Sequence, residues 1–332
     1  MVTSFINYCQ INKQMIEEKV VIITPCFNEN STVIAFLKNV EKVLTLLPQS
    51  FEIVVIDDCS TDQTLSLLTN LRFKAGNIKL TILELKFNVG HQAAIYQGLL
   101  YGRQLDSNKF IIMDSDGEDD PEAIAQLVEI NNFDIVNVAR GRREESLSFQ
   151  ISYYIYRFIF KMITGKIMNF GNYCMINKKV LETSCYLSFI HFAAHLSKLK
   201  ASSTSIVYNR LKRIDGRSKM NSTSLIHHAF KSFVEYAEEL LMVFLRIFTM
   251  VTLMFMVLMG VVLYKKLFTN DAIMGWASTM TVSLFTAALI CLGFFVIGIL
   301  LLNMIARKNK GKKEIYNTFA EEEEEEVKIM VK

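Results

Sequence analysis

"FIIMDSDGEDDPE", Phe110–Glu122, ends an apolar run in six carboxylates within nine residues. A run of that kind reads as a buried strand whose carboxyl end opens into a polar turn. Working outward, "KVVIITP" (Lys19–Pro25), "FEIVVIDD" (Phe51–Asp58), "KLTILEL" (Lys79–Leu85), "KFIIMD" (Lys109–Asp114) and "DIVNVA" (Asp134–Ala139) are further apolar, β-branched runs. Amphipathic patterns separate them: Thr32–Leu44, Gln63–Arg72, Gln92–Gly102 and Pro121–Ile130. Continuous apolar strands alternating with helices predict an α/β fold with a mostly parallel sheet and helices on both faces.

In such sheets ligands bind beyond the carboxyl ends of the strands. Asn28 and Glu29, Asp57 and Asp58, Asn88 and the acidic stretch all fall at those ends. Asp114 and Asp116, one residue apart on a tight turn, can face one cation, and Glu118 can add a third oxygen directly or through water. A hard ion such as Mg²⁺ takes one or two carboxylates and completes its shell with water and phosphates. An EF-hand loop is excluded, because its sixth and twelfth positions counted from Asp114 are Asp119 and Ala125 rather than Gly and Glu. Asp119, Asp120 and Glu122 flank Pro121 at a helix start, where anions complement the helix dipole, and are read as capping.

The chain has 332 residues, 51% of them apolar, more than one soluble core requires. The surplus lies in Ile247–Tyr264 and Ala272–Ala306, neither of which carries a charge. Each is long enough to cross a bilayer core of roughly 30 Å, which takes about 20 helical residues. The short joint Lys265–Asp271 makes them a hairpin, and "RKNKGKK" (Arg307–Lys313) puts its flanks, and the domain before it, in the cytosol. The opening residues lack a signal-peptide pattern. Cys9, Cys26, Cys59, Cys174, Cys185 and Cys291 form no CxxC pair and read as reduced, apolar residues. The net charge of +3 says little about partners, and no nucleic-acid partner is expected. Glu321–Glu326 reads as a solvated tail. Near 148–164, Gln150, Arg157, Lys161 and Thr164 share one helical face with aromatics and Ile around the rest, the pattern of a helix lying in a membrane interface. His191 and His195, four apart, lack an HExxH partner and read as packing residues.

"TPCFNE" (Thr24–Glu29), "VVIDDCSTDQT" (Val54–Thr64), "NVGHQAAIYQGL" (Asn88–Leu99) and "MDSDGEDDPE" (Met113–Glu122) follow one another in order. Together they resemble the GT-A (Rossmann-like) domain of family 2 glycosyltransferases, more narrowly the polyprenyl-phosphate group of dolichol-phosphate mannose synthase and bacterial undecaprenyl-phosphate glucosyltransferases. "RGRREES" (Arg140–Ser146), "GNYCMI" (Gly171–Ile176), "RIDGRSKM" (Arg213–Met220) and "GWAS" (Gly275–Ser278) extend the resemblance over residues 19–306.

The resemblance implies an inverting transfer from a UDP- or GDP-linked sugar to a polyprenyl phosphate, undecaprenyl or dolichyl, with Mg²⁺ or Mn²⁺. Pro25, Phe27, Glu29 and Asp57 would line the nucleotide pocket, with Asp58 beside the diphosphate. Asp114 and Asp116 match the DxD metal ligands, and Glu118 stands where many relatives have Gln. Arg140, Arg143, Arg213 and Lys219 would grip phosphates, the last two with Arg143 on the lipid side. Arg142 and Lys212 are read as ordinary surface charges. Asn172 replaces a frequent Asp. A phosphate monoester, with a second pKa of about 6, needs no general base, so Asn172 is expected to position the acceptor. The expected organisation is an extension over 1–18, the transferase domain over 19–230 and a membrane-proximal helix from 231. Spans near 241–264 and 273–306 and a charged cytosolic tail over 307–332 complete it. The aromatic interface helix and the membrane hairpin suit self-association as a homo-oligomer. Rival readings are a family 2 enzyme acting on a polysaccharide or another lipid, and a non-catalytic membrane scaffold. The first is weakened by the lone Trp276, which leaves no QxxRW motif.

Overall fold

A computed structural model describes residues 18–141, 147–165, 170–209, 211–214, 230–268, 275–309 and 314–320. It divides into two compact units, one built from Met1–Gln150, Met168–Lys231 and Lys313–Lys332, the other from Ile151–Ile167 and Ser232–Lys312.

The first unit holds an eight-stranded sheet. Its strands are β1 (Lys19–Cys26), β2 (Ser50–Asp57), β3 (Ile78–Leu85), β4 (Lys109–Ile112), β5 (Ile135–Arg140), β6 (Phe170–Asn177), β7 (Ser203–Tyr208) and β8 (Tyr316–Ala320), in spatial order 7-5-6-4-1-2-3-8. Strands β4, β1, β2 and β3 are parallel neighbours, as the alternating pattern predicts. The period of two along each strand sorts the core into two layers. Val20, Ile22, Ile53 and Val55 face α1 (Val33–Leu44), α2 (Thr64–Asn70) and α4 (Ala123–Glu129). Val21, Ile23, Val54 and Ile56 face α3 (His91–Gly102), α6 (Lys178–Leu187) and α7 (Phe192–Lys198). In α1 the buried Val33, Phe36, Leu37, Val40 and Leu44 recur at helical spacing, which is why that segment coils and lays one stripe on the sheet. Gly98 lets α3 approach closely: a Cβ there would stand 2.5 Å from Ile23 Cγ2 and 2.8 Å from Ile56 Cδ1.

Three strands lie outside the predicted series. β7 runs parallel to β5 at one edge of the sheet, with Ile135 opposite Ser203. β6 runs antiparallel between β4 and β5, with Ile112 opposite Cys174. β8 pairs antiparallel with β3, Thr81 opposite Ala320 and Leu85 opposite Tyr316. The segment read as a charged tail therefore contributes residues 316–320 to the sheet. Gln97 Oε1 accepts from Ile315 N, and Tyr101 packs edge-on against Tyr316. Backbone pairing with β3, with Ile315 and Tyr316 packed against the core layer, places this short segment on the sheet edge, while Phe319 stays exposed.

The second unit contains α5 (Leu147–Thr164, from Ile151 on), α8 (Ala237–Phe268) and α9 (Trp276–Asn309). Ala237–Lys265 and Ser278–Leu301 are long and apolar enough to cross a membrane, with mean hydropathies of 2.4 and 2.8. They form an antiparallel pair in which Phe244 stacks on Phe294 and Leu241 lies over Gly298. Small residues permit such close helix contact in lipid. α5 buries Phe160 against Phe233 and Tyr236, while Tyr154, Phe158, Ile159 and Met162 remain exposed. The five described cysteines are free thiols.

Candidate active site

The carboxyl ends of β1, β2 and β4 converge through a lattice of side-chain to backbone bonds. After β1 the chain turns at Asn28, whose φ is +53°. Its amide donates to Ser60 Oγ at 2.9 Å, and its Oδ1 accepts from Thr61 N at 2.8 Å, so the loops after β1 and β2 hold each other. Glu29 is buried. Its backbone N–H donates to Thr64 Oγ1 at 2.8 Å and its carboxylate accepts from the Thr32 hydroxyl. Phe27 is exposed at the mouth, with 41% of its surface accessible.

Asp57 is the last residue of β2 and is almost wholly buried. Burial pushes its carboxyl above the usual aspartate range. One oxygen accepts from Ser60 N at 3.1 Å. Asp58, expected beside the diphosphate, has a bracing role. Its two oxygens accept from Val89 N at 2.7 Å and Gly90 N at 2.8 Å, so it braces the turn before α3. Gly90, at φ +85°, supplies the left-handed residue that this turn requires.

The acidic turn after β4 is held from several sides. Ser115 Oγ donates to Pro25 O at 2.9 Å, tying it to β1. Asp119 Oδ2 accepts from Asp114 N at 2.9 Å, so Asp119 braces the turn instead of capping α4; Asp120 Oδ1 accepts from Glu122 N at 3.0 Å in the turn before the helix, and the N-cap residue Glu122 makes no side-chain cap bond. Asp116 Oδ1 accepts from Glu118 N at 3.0 Å. Burial first, then the charge of Asp114, raises the Asp116 carboxyl above its ordinary range. Gly117 has φ +78° and lies under Ile214, which would meet a Cβ there at 2.7 Å.

Two basic side chains meet this negative charge. His91 Nε2 lies 3.0 Å from Asp114 Oδ1. Desolvation in the crevice opposes protonation of His91, but the Asp114 charge outweighs it and raises the imidazole pKa. A 3.3 Å contact from Gln92 Nε2 to His91 Nδ1 favours instead the neutral Nε2–H form. Both forms leave Nε2 donating to Asp114. Arg213 Nη2 pairs with Asp116 Oδ2 at 3.1 Å and Arg213 Nε with Glu118 Oε1 at 2.8 Å. Arg213, expected on the lipid phosphate, here lies against two of the three expected metal ligands. Among the described residues no three acidic, His or Cys groups already form a closed cage. The donor set nonetheless suits a hard divalent ion, because two carboxylates with phosphate and water suffice for Mg²⁺.

Strand β6 brings Asn172 to the same place. Its antiparallel register with β4 pairs Ile112 with Cys174, and two residues further along each strand lie Asp114 and Asn172. Asp114, Glu118, Asp119, Asn172, Tyr173 and Asn209 line one crevice. Arg140 ends β5 next to β6, whereas Arg143 and Lys219 lie outside the described residues. His191 Nδ1 accepts from Ala194 N and His195 contacts Ser184 Oγ, both buried away from this crevice. His91 and Gln92 carry no role in the sequence reading, although they open the helix after Gly90. A left-handed glycine before a helix start at a strand end is the signal that points to them.

The chain is 23% identical over 286 residues to an uncharacterized glycosyltransferase, YkcC, of Bacillus subtilis, covering 83% of this chain and 86% of that protein. It is 28% identical over 220 residues to the undecaprenyl-phosphate 4-deoxy-4-formamido-L-arabinose transferase of Yersinia pestis, covering 63% of this chain and 65% of the transferase's length. Among solved structures, mannosyl-3-phosphoglycerate synthase from Rubrobacter xylanophilus matches with a TM-score of 0.52 at 15% identity, over 69% of this chain and 76% of that one. Glucosyl-3-phosphoglycerate synthase from Mycobacterium tuberculosis, in complex with Mn²⁺, uridine diphosphate and phosphoglyceric acid, matches at 0.51 and 12% identity, over 70% and 81%. These likenesses establish the GT-A fold. The family model for glycosyl transferase family 2 matches residues 21–195. That segment carries β1 to β6, the acidic turn and Asn172, and with more than half of its residues inside it the chain belongs to glycosyl transferase family 2.

Proposed function

We propose that this glycosyltransferase moves a sugar from a UDP- or GDP-linked donor to a polyprenyl phosphate at the cytosolic face of a membrane, with inversion at the anomeric carbon. The observation that carries this reading is the crevice in which the acidic turn of β4 meets Asn172 of β6, in a chain whose relatives include an undecaprenyl-phosphate sugar transferase. α8 and α9, which present apolar side chains outward along membrane-spanning lengths, fit an acceptor that lives in lipid.

Phe27 and Glu29 after β1 and Asp57 at the end of β2 form the floor for the base and ribose. Asp57 and Glu29 are acceptors already oriented by Ser60, Thr64 and Thr32. Asp58 keeps the α3 turn in place beneath the diphosphate. Asp114 and Asp116, with Glu118, would hold Mg²⁺ or Mn²⁺. Such an ion, when bound, offsets charge on the departing nucleoside diphosphate. His91 holds Asp114 from the opposite side. Arg213, once released from Asp116 and Glu118, joins Arg140, Arg143 and Lys219 as donors for phosphate oxygens. The acceptor oxygen is already deprotonated near neutral pH and attacks without a protein base.

The test incubates membranes containing the protein with labelled nucleotide sugars and undecaprenyl phosphate. A solvent-extractable glycolipid that requires divalent metal and disappears in Asp116→Ala is expected. Polymer in its place would favour a polysaccharide acceptor, and no transfer from any donor would favour the scaffold reading.

A further inference from the structure

A single backbone N–H fixes the polarity of the side chains behind the acidic turn. Phe192 N, at the start of α7, donates to Gln92 Oε1. A backbone N–H can only donate, so the Gln92 amide has one allowed orientation, with Oε1 toward α7 and Nε2 toward the crevice. Nε2 then donates to Asn172 Oδ1 at 3.4 Å and lies 3.3 Å from His91 Nδ1. Gln92 and Asn172 are both about nine-tenths buried, at 9% and 8% exposure, so neither amide can exchange partners freely with water. With Oδ1 committed to Gln92, Nδ2 is the polar atom left to Asn172 for the crevice that it lines with Asp114 and Glu118.

The geometry points to Gln92 as a positioning residue that makes Asn172 a hydrogen-bond donor to an anionic oxygen of the acceptor phosphate. The inference rests on the proposed function and adds to it a reason why an amide works at this position. A carboxylate would accept from Gln92 with one oxygen and turn the other, negative and without a proton, toward the phosphate. Asn172 turns a donor there instead. Gln92 touches no reacting atom and acts through Asn172.

The test is a double-mutant cycle in the full-length protein, reconstituted in lipid nanodiscs. It reads initial rates against polyprenyl phosphate and against the sugar nucleotide. Gln92→Met removes the contacts to Phe192 N, Asn172 and His91 at similar volume. Gln92→Glu keeps the acceptor for Phe192 N and reverses the polarity toward Asn172, so it serves the cycle should Gln92→Met fold poorly. Thermal melts accompany each variant. Asn172→Ala removes the donor. The expected result is a loss of about tenfold in kcat/KM for polyprenyl phosphate in each single variant, the scale of one hydrogen bond to a charged group. KM for the sugar nucleotide stays within about twofold of the unsubstituted protein, and substituting Gln92 in the Asn172→Ala background costs nothing further. Equal losses from Gln92 substitution in both backgrounds would overturn the assignment and leave Gln92 a packing residue. An unsubstituted protein that transfers no sugar would instead sink the proposed function, a result visible before any variant is compared.

Discussion

Removing the Arg213 guanidinium is expected to tighten, not weaken, divalent metal binding in the absence of nucleotide. Arg213 bridges Asp116 at 3.1 Å and Glu118 at 2.8 Å, and its side chain keeps 21% of its surface exposed against 19% and 6% for the two carboxylates. Two unit charges about 4 Å apart near a protein surface attract by roughly 4 kcal/mol at an effective dielectric of about 20. Desolvation and lost side-chain freedom remove much of that, leaving about 1–3 kcal/mol for a part-buried, charge-assisted contact. A cation arriving at Asp116 must overcome this amount, so Arg213→Gln should lower the Mn²⁺ dissociation constant about tenfold to a hundredfold. Titration of free Mn²⁺ by electron paramagnetic resonance, at fixed pH and ionic strength, measures it directly. Raising the salt should narrow the gap between the two proteins, because screening weakens the intramolecular pair. Unchanged or weaker Mn²⁺ binding in Arg213→Gln would refute the competition between Arg213 and a cation at Asp116 and Glu118.

Three further outcomes follow from the geometry. Asp57 has a carboxyl pKa raised by burial, so its ionised form opposes folding above its unfolded pKa, and that cost disappears as the pH falls through the folded value. Asp57→Asn should therefore stabilise the nucleotide-free protein at neutral pH and not in acid, while weakening nucleotide binding; melts across pH that show no neutral gain would count against it. Gly98→Ala should cost about 1–3 kcal/mol in chemical denaturation, since its Cβ would press on Ile23 and Ile56 in the middle of the sheet; a more stable variant would mean that α3 can shift. Ending the chain before Glu314 deletes β8 and uncovers β3, and should lower the melting temperature and promote aggregation, read by light scattering; an unaltered melt would deny β8 any part in the sheet.

Much of the fold was legible because β1 to β5 and their helices obey local rules. Residues Val20 to Ile23 are apolar on both faces, which only a doubly covered strand tolerates, and the α1 stripe repeats at helical spacing. β6, β7 and β8 were not legible as sheet members. β6 finds its place through pairing with β4, far away in sequence, and its "GNYCMI" text carries no direction. β8, "YNTFA", sits between basic and acidic runs that dominate a composition-based reading. In the site, Asp114, Asp116 and Glu118 stood out as charge at a strand end. The engagement of Arg213 with two of them, the bracing role of Asp58 and the Gln92–Asn172 contact depend on register and loop closure, which no spacing encodes.

The pairing of β3 with β8 also has a consequence in time. β3 leaves the ribosome long before its partner, because everything from α3 to α9, both apolar helices included, is synthesised between them. At about 5–20 residues per second, that flank of the nascent domain waits on the order of tens of seconds for its last neighbour. Lys79, Glu84 and Lys86, along and just beyond β3, supply the charge that discourages a foreign chain from docking there first.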